Sequence, residues 1–148
     1  MTASVTIETT ADAALLASIH RAGFDEPWSE AFFASLLSQA GVTAWIAASP
    51  QPVGFILMRA VAEMAEILTL AVRPENRGQG IGRALVERAL AEVKALNAQK
   101  CFLEVAKDNT AAVALYRACG FALCGERPRY YARGTDMIDA LVMERKLT

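Results

Sequence analysis

The densest chemical signal in this 148-residue chain is Arg77-Gly78-Gln79-Gly80-Ile81-Gly82-Arg83, three glycines set between two arginines. A glycine-rich turn that opens a helix gathers backbone N–H groups and the positive helix end at one point. Missing Cβ atoms then let anion oxygens come close. The segment therefore reads as a phosphate cradle, with Arg77 and Arg83 adding charge. No Lys-Ser or Lys-Thr follows the glycines, which removes the phosphate lysine and magnesium hydroxyl of a nucleoside triphosphatase. Gly78, Gly80 and Gly82 give GxGxG, whereas a dinucleotide fingerprint needs GxGxxG. Glu104 does lie about 20 residues beyond the glycines, where a ribose-binding acid would sit, but too little chain follows for a doubly wound sheet.

Other reactive side chains are few. His20 is the sole histidine, is followed by Arg21 in a predicted helix, and reads as structural or surface. Cys101, Cys119 and Cys124 match neither a CxxC pair nor a zinc ribbon, so no metal site and no thiol catalysis are expected. Their odd number suits a reducing compartment.

The elements that must position these groups follow from periodicity and punctuation. Ser4–Thr9 reads as a strand and about Ala11–Ala22 as a helix with Leu15, Leu16 and Ile19 on one face. Ser29 is placed to cap a helix over Glu30–Ser38, where Phe32, Phe33, Leu36 and Leu37 share a face. Val42–Ala48, Pro52–Ala60 and Ala62–Val72 form an antiparallel meander. After Pro74 the glycine loop leads into a helix to about Asn97, with Ile81, Leu85, Ala89, Val93 and Leu96 in a stripe. Cys101–Val105 then returns as a strand, so Leu68–Val105 is a β-loop-α-β unit with a parallel pairing. A helix over Asn109–Cys119 stops at Gly120, and strands Phe121–Arg127 and Met137–Lys146 flank a connection at Pro128–Thr135. The sum is one mixed α/β (α+β) domain over residues 1–148, a mostly antiparallel sheet with one parallel β-α-β unit and flanking helices.

Composition agrees with a folded enzyme-sized domain: 54% hydrophobic and 21% charged residues supply a core. The net charge of −1 offers no field for nucleic acid. Apolar runs such as Val53–Met58 fall far short of a membrane span, and Met1–Ala11 lacks the basic start of a secretory signal, so a cytoplasmic protein is expected.

Arg77-x-x-Gly80-x-Gly82 resembles the acetyl-coenzyme A pyrophosphate signature of the GCN5-related N-acetyltransferases (GNAT). Asn109-x-x-Ala112-x-x-Leu115-Tyr116-x-x-x-Gly120-Phe121 resembles their second block. Within that superfamily the likeness is greatest to the RimI-type ribosomal-protein-alanine N-acetyltransferases, through Glu26-Pro27-Trp28-Ser29-Glu30, Leu103-Glu104-Val105 and Arg129-Tyr130-Tyr131, with Ala132 where the family usually has proline. The resemblance implies acetyl-coenzyme A as cosubstrate, its pyrophosphate on Arg77, Gly78, Gln79, Gly80, Ile81, Gly82 and Arg83. It implies a wedge between the third meander strand and Cys101–Val105 in which backbone groups of Leu70, Ala71 and Val72 bind the pantetheine arm and polarise the thioester carbonyl. Asn109 and Tyr116 complete the coenzyme set. Glu104 would deprotonate the acceptor through a water and Tyr116 would protonate the leaving thiolate, while Trp28, Glu104, Tyr130 and Tyr131 line the acceptor groove. The expected acceptor is a protein N-terminus, with Ala on a small-subunit ribosomal protein favoured. An acetyltransferase for lysine or a small amine and a non-catalytic acyl-coenzyme A sensor are the alternatives, and the presence of both Glu104 and Tyr116 favours an enzyme.

Overall fold

The computed structural model describes residues 4–147. A first strand, β1 (Thr6–Thr10), leads into helices α1 (Ala13–Gly23) and α2 (Glu30–Leu37), then a meander of β2 (Val42–Ala48), β3 (Pro52–Val61) and β4 (Met64–Val72). A 3-10 turn at Pro74–Asn76 precedes α3 (Ile81–Ala95), β5 (Lys100–Ala106), α4 (Thr110–Ala118) and the strands β6 (Ala122–Arg133) and β7 (Asp136–Lys146). All seven strands join one sheet in the order β1-β2-β3-β4-β5-β7-β6. Only β4 and β5 run parallel, so the sheet is the expected mostly antiparallel one with a single parallel pair.

Local chemistry sets the helix starts. Asp12, Ser29 and Asn109 each cap the helix that follows by accepting a first-turn N–H, from Leu15, Phe32 and Ala112 respectively. α3 differs: its capping residue is Gly80, which has no side chain to offer and sits at φ +81°. α3 and α4 cover one sheet face through Ile81, Leu85, Ala89, Val93, Tyr116 and Cys119, all buried against Ile56, Met58, Ile67 and Leu103. α1 and α2 cover the β2–β4 part of the other face, where Leu16, Ile19, Phe33 and Leu36 pack on Phe55, Leu57 and Ala71.

Three features differ from the sequence expectation in ways that bear on the core or the site. α3 stops at Ala95, so Leu96 falls past its end and is 70% exposed instead of joining the stripe. In α2 only Phe33 and Leu36 are buried, while Phe32 is exposed and meets the edge of Trp28. The segment Pro128–Thr135 is mostly strand, because Tyr131, Ala132 and Arg133 pair with Ile138, Met137 and Asp136. A proline at the start of this segment is compatible with strand because proline is tolerated where a strand bulges. The β6–β7 ladder is indeed irregular between Arg127 and Tyr131. There Arg129 takes φ +54° and donates its N–H to Asp139 Oδ1 at 2.9 Å.

Among the described residues no helix is long and apolar enough to cross a membrane.

Candidate active site

The parallel ladder is short. It runs from Met64 opposite Lys100 to Ile67 opposite Leu103 and goes no further. Just past it β4 bulges: Leu57 of β3 faces Thr69, Met58 faces Ile67, and Leu68 is the extra residue. Beyond the bulge β4 and β5 part, leaving a wedge within the sheet. A cavity of about 740 Å³ fills this wedge and reaches both sheet faces. Leu68–Val72 form one wall and Glu104–Ala106 the other, with Asn109, Ala112, Leu115 and Tyr116 of α4 alongside.

At one end lies the glycine loop. Arg77, Gly78, Gly80, Ile81, Gly82 and Arg83 line the cavity, whereas Gln79 lies outside its lining. The glycines do different work. Gly78 and Gly80 hold positive φ of +77° and +81°, and a Cβ on either would meet nothing within 4 Å, so both point into open space. A Cβ on Gly82 would instead meet Leu115 at 3.0 Å, so this glycine lets α3 approach α4. With no side-chain cap on α3, its first-turn N–H groups are free to receive an anion beside Arg77, whose Nε bonds the Val72 carbonyl at 3.2 Å. The donor set and the open cradle fit a pyrophosphate.

At the other end β5 presents Glu104, held in an ion pair: Arg127 Nε lies 3.1 Å from Oε1, and the glutamate side chain is 18% exposed. One carboxylate oxygen is thereby engaged and Oε2 is left for a water or an amine. Tyr131 reaches over from β6 and donates its hydroxyl to the Glu104 carbonyl at 3.4 Å. Burial is the main cause that pushes its phenol up to about 12, with the Glu104 carboxylate adding to it. Tyr130 is outside the cavity lining; its ring meets that of Tyr131 edge-on at 5.1 Å and lies under the Arg127 guanidinium, on the side of the strand where Arg127 pairs with Glu104. Tyr116 lines the cavity with its ring buried against Phe121, and burial raises its phenol well above the ordinary range. That group keeps its proton at any working pH, so it can act as a donor and not as a base. Trp28, Asp25 and Glu26 of the α1–α2 connection also line the cavity.

Two residues beside Glu104 were not singled out from the sequence. Arg127 is one, because β7 stands between β5 and β6 and nothing local tells that Glu104 and Arg127 share a face. Glu66 of β4 is the second: burial raises its carboxyl, with Arg59 opposing and Glu104 adding to the effect. His20, which the sequence places as structural or surface, is 1% exposed, lines the cavity and has both ring nitrogens bonded. Among the described residues no group of three or more His, Cys, Asp or Glu is placed to hold a metal ion.

The acetyltransferase (GNAT) family model matches residues 13–121. The chain belongs to the GNAT family. It is 32% identical over 117 residues to the [ribosomal protein bS18]-alanine N-acetyltransferase of Escherichia coli K12, covering 79% of each chain. The crystal structure of the Escherichia coli ribosomal-protein-S18-alanine N-acetyltransferase superposes with a TM-score of 0.91 at 29% identity, covering 98% of this chain and 95% of that one. Arabidopsis thaliana NAA60 in complex with acetyl-CoA shares the fold, with a TM-score of 0.83 at 18% identity and 97% and 98% coverage. The GNAT fold and acyltransferase class expected from the resemblance are thus those found, and the split between β4 and β5 is the wedge that the resemblance implied.

Proposed function

We propose that this GNAT enzyme transfers acetyl from acetyl-coenzyme A directly to the α-amine of a protein N-terminus, with an N-terminal alanine, as on a small-subunit ribosomal protein, preferred. The observation that carries the proposal is the continuity of one cavity from an anion cradle to a carboxylate, at a spacing set by the split of two strands. The relative named for acetylating alanine of ribosomal protein bS18 supports the acceptor class, and the fold neighbour holding acetyl-CoA supports the cosubstrate.

Bound acetyl-coenzyme A would supply an activated acyl group. The N–H groups of Gly78–Arg83 and the Arg77 guanidinium hold its pyrophosphate, and Asn109 stands beside the arm. Backbone groups of Leu70, Ala71 and Val72 bind the arm and direct N–H dipoles at the reacting carbonyl. Only a neutral amine attacks, and an α-amine of pKa about 7.7–8.0 is far closer to neutrality at pH 7 than a lysine of about 10.4. Glu104, through Oε2 and a water, takes the remaining proton. Tyr116 donates a hydrogen bond to the leaving sulfur as negative charge gathers there. Its raised pKa makes complete transfer to a thiolate of about 8.5 uphill, so stabilising the developing anion is its main contribution. Tyr131 and Trp28 wall the acceptor groove, with Tyr130 backing Tyr131. Three unpaired thiols and the absence of a membrane-length helix among the described residues suit a cytoplasmic enzyme.

Incubation with acetyl-coenzyme A and a panel of Ala-started peptides, their N-terminally blocked twins carrying one lysine, and free amines, read by mass, tests the proposal. Acetylation confined to the free Ala-started peptides is expected. Equal labelling of the blocked twins would instead make the enzyme a lysine acetyltransferase.

A further inference from the structure

We infer that His20 is a positioning residue for the acceptor: a single imidazole clamps both ends of the segment Phe24–Trp28 and ties that segment to β4. The inference rests on the acceptor end of the cavity being where the amine substrate enters.

The contacts are specific. His20 Nδ1 accepts the Trp28 backbone N–H at 3.1 Å, which closes one end of the segment. The Phe24 ring stacks on the imidazole at 3.9 Å and 5°, which closes the other, and the Trp28 ring stacks at 5.1 Å. Because Nδ1 accepts, the proton resides on Nε2, which donates to Thr69 Oγ1 at 3.1 Å. With both nitrogens engaged, the ring has no lone pair to offer a substrate. Among the described residues Asp25, Glu26 and Pro27 make no hydrogen bond of their own, so the clamped ends are what hold these three in place.

Thr69 gives the clamp its functional reach. It is the first residue after the Leu68 bulge and directly precedes Leu70–Val72, the wall of the wedge. The imidazole therefore fixes the segment bearing Trp28 against the strand that carries the reacting carbonyl's donors. Loss of the clamp leaves the coenzyme wall intact and lets the acceptor wall drift. A displacement of that kind weakens acceptor binding without touching coenzyme binding.

The experiment compares wild type with His20→Ala, His20→Asn and Thr69→Val, measuring acetyl-coenzyme A Kd, KM and kcat for an Ala-started peptide, and amide exchange at Trp28. His20→Ala is expected to raise the peptide KM about tenfold or more, with kcat within about threefold and coenzyme Kd unchanged. His20→Asn places an amide oxygen near the position of Nδ1 and is expected to recover most of the loss, and Thr69→Val to fall between. An unchanged peptide KM, a parallel loss of coenzyme affinity, or an Asn variant no better than Ala overturns the clamp. Should His20→Ala fail to fold, Thr69→Val decides in the same terms. If wild type acetylates no peptide, the proposed acceptor falls, and Trp28 exchange alone judges the clamp: about tenfold faster in Thr69→Val upholds it and an unchanged rate refutes it.

Discussion

Glu104 and Arg127 show how one contact can be read in two ways. A strand-end carboxylate bonded to an arginine is a common structural pair, and with Arg127 56% exposed it contributes at most about 1 kcal/mol to stability. What sets this pair apart is its place at the mouth of the wedge, with one oxygen free. Glu104→Gln is expected to lower turnover roughly 10²–10⁴-fold, most severely at low pH where the amine is hardest to deprotonate, with coenzyme affinity unchanged. Tyr116→Phe is expected to lower turnover evenly across pH. Superimposable pH–rate profiles for wild type and the Gln variant would exclude Glu104 as the base. At the other end, Gly80→Val puts a branched side chain into the cradle at φ +81°. Acetyl-coenzyme A binding by calorimetry should vanish while the variant still folds, at a stability cost of about 1–2 kcal/mol for the left-handed backbone. Coenzyme affinity equal to wild type would remove the loop from the pyrophosphate site.

At the scale of elements, the irregular stretch of β6 merits a test. Arg129 at φ +54° between Arg127 and Tyr131 lets the strand place Tyr131 over the cavity and Tyr130 outside it. Arg129→Gly removes the steric cost of that conformation, about 1–2 kcal/mol, but adds the backbone entropy of glycine, about 0.5–1 kcal/mol. The urea midpoint should rise slightly with turnover preserved; a fall would mean that the arginine side chain, and not the backbone, supports the hairpin. The same stretch marks the limit of what the sequence reveals. Caps at Ser29 and Asn109 and the stop at Gly120 are local signals, and the helices they bound lie where spacing puts them. The glycine loop was legible for the same reason, since its geometry is built from neighbouring residues. The sequence reads Pro128–Thr135 as a connection, and only pairing with β7 shows that most of it is bulged strand. Arg127 beside Glu104 and Thr69 beside His20 are contacts between strands or across 49 residues of chain, fixed by sheet order and by a bulge that no local pattern announces.

For the molecule as a whole, the single histidine makes one pH effect attributable. Burial lowers His20 to about 4 from an ordinary 6.5. Between those values the unfolded chain binds a proton that the native protein refuses, so stability rises with pH through the window. It is complete above about 6.5 and is lost as pH falls towards 4. At pH 5 the loss is about 2 kcal/mol, from 1.36 kcal/mol per unit. Urea unfolding at pH 7 and pH 5 should show it for wild type, and His20→Asn should flatten the slope; an equal slope in the variant would assign the effect to carboxylates instead.

The place of β7 bears on how the site comes into being as the chain is made. β7 follows β6 in the chain yet stands between β5 and β6 in the sheet. A chain emerging from its N-terminus has β5 and the whole of β6 before any of β7 exists, so for a time the edge of β5 has the wrong strand nearest to hand. Only when β7 inserts does Glu104 come opposite Val142 and Arg127 opposite Ala140, on rungs that bring the carboxylate and the guanidinium to 3.1 Å. The coenzyme cradle and the capped helices belong to segments made earlier. The proposed coenzyme cradle is thus synthesised in full before the strand that sets Glu104 against Arg127.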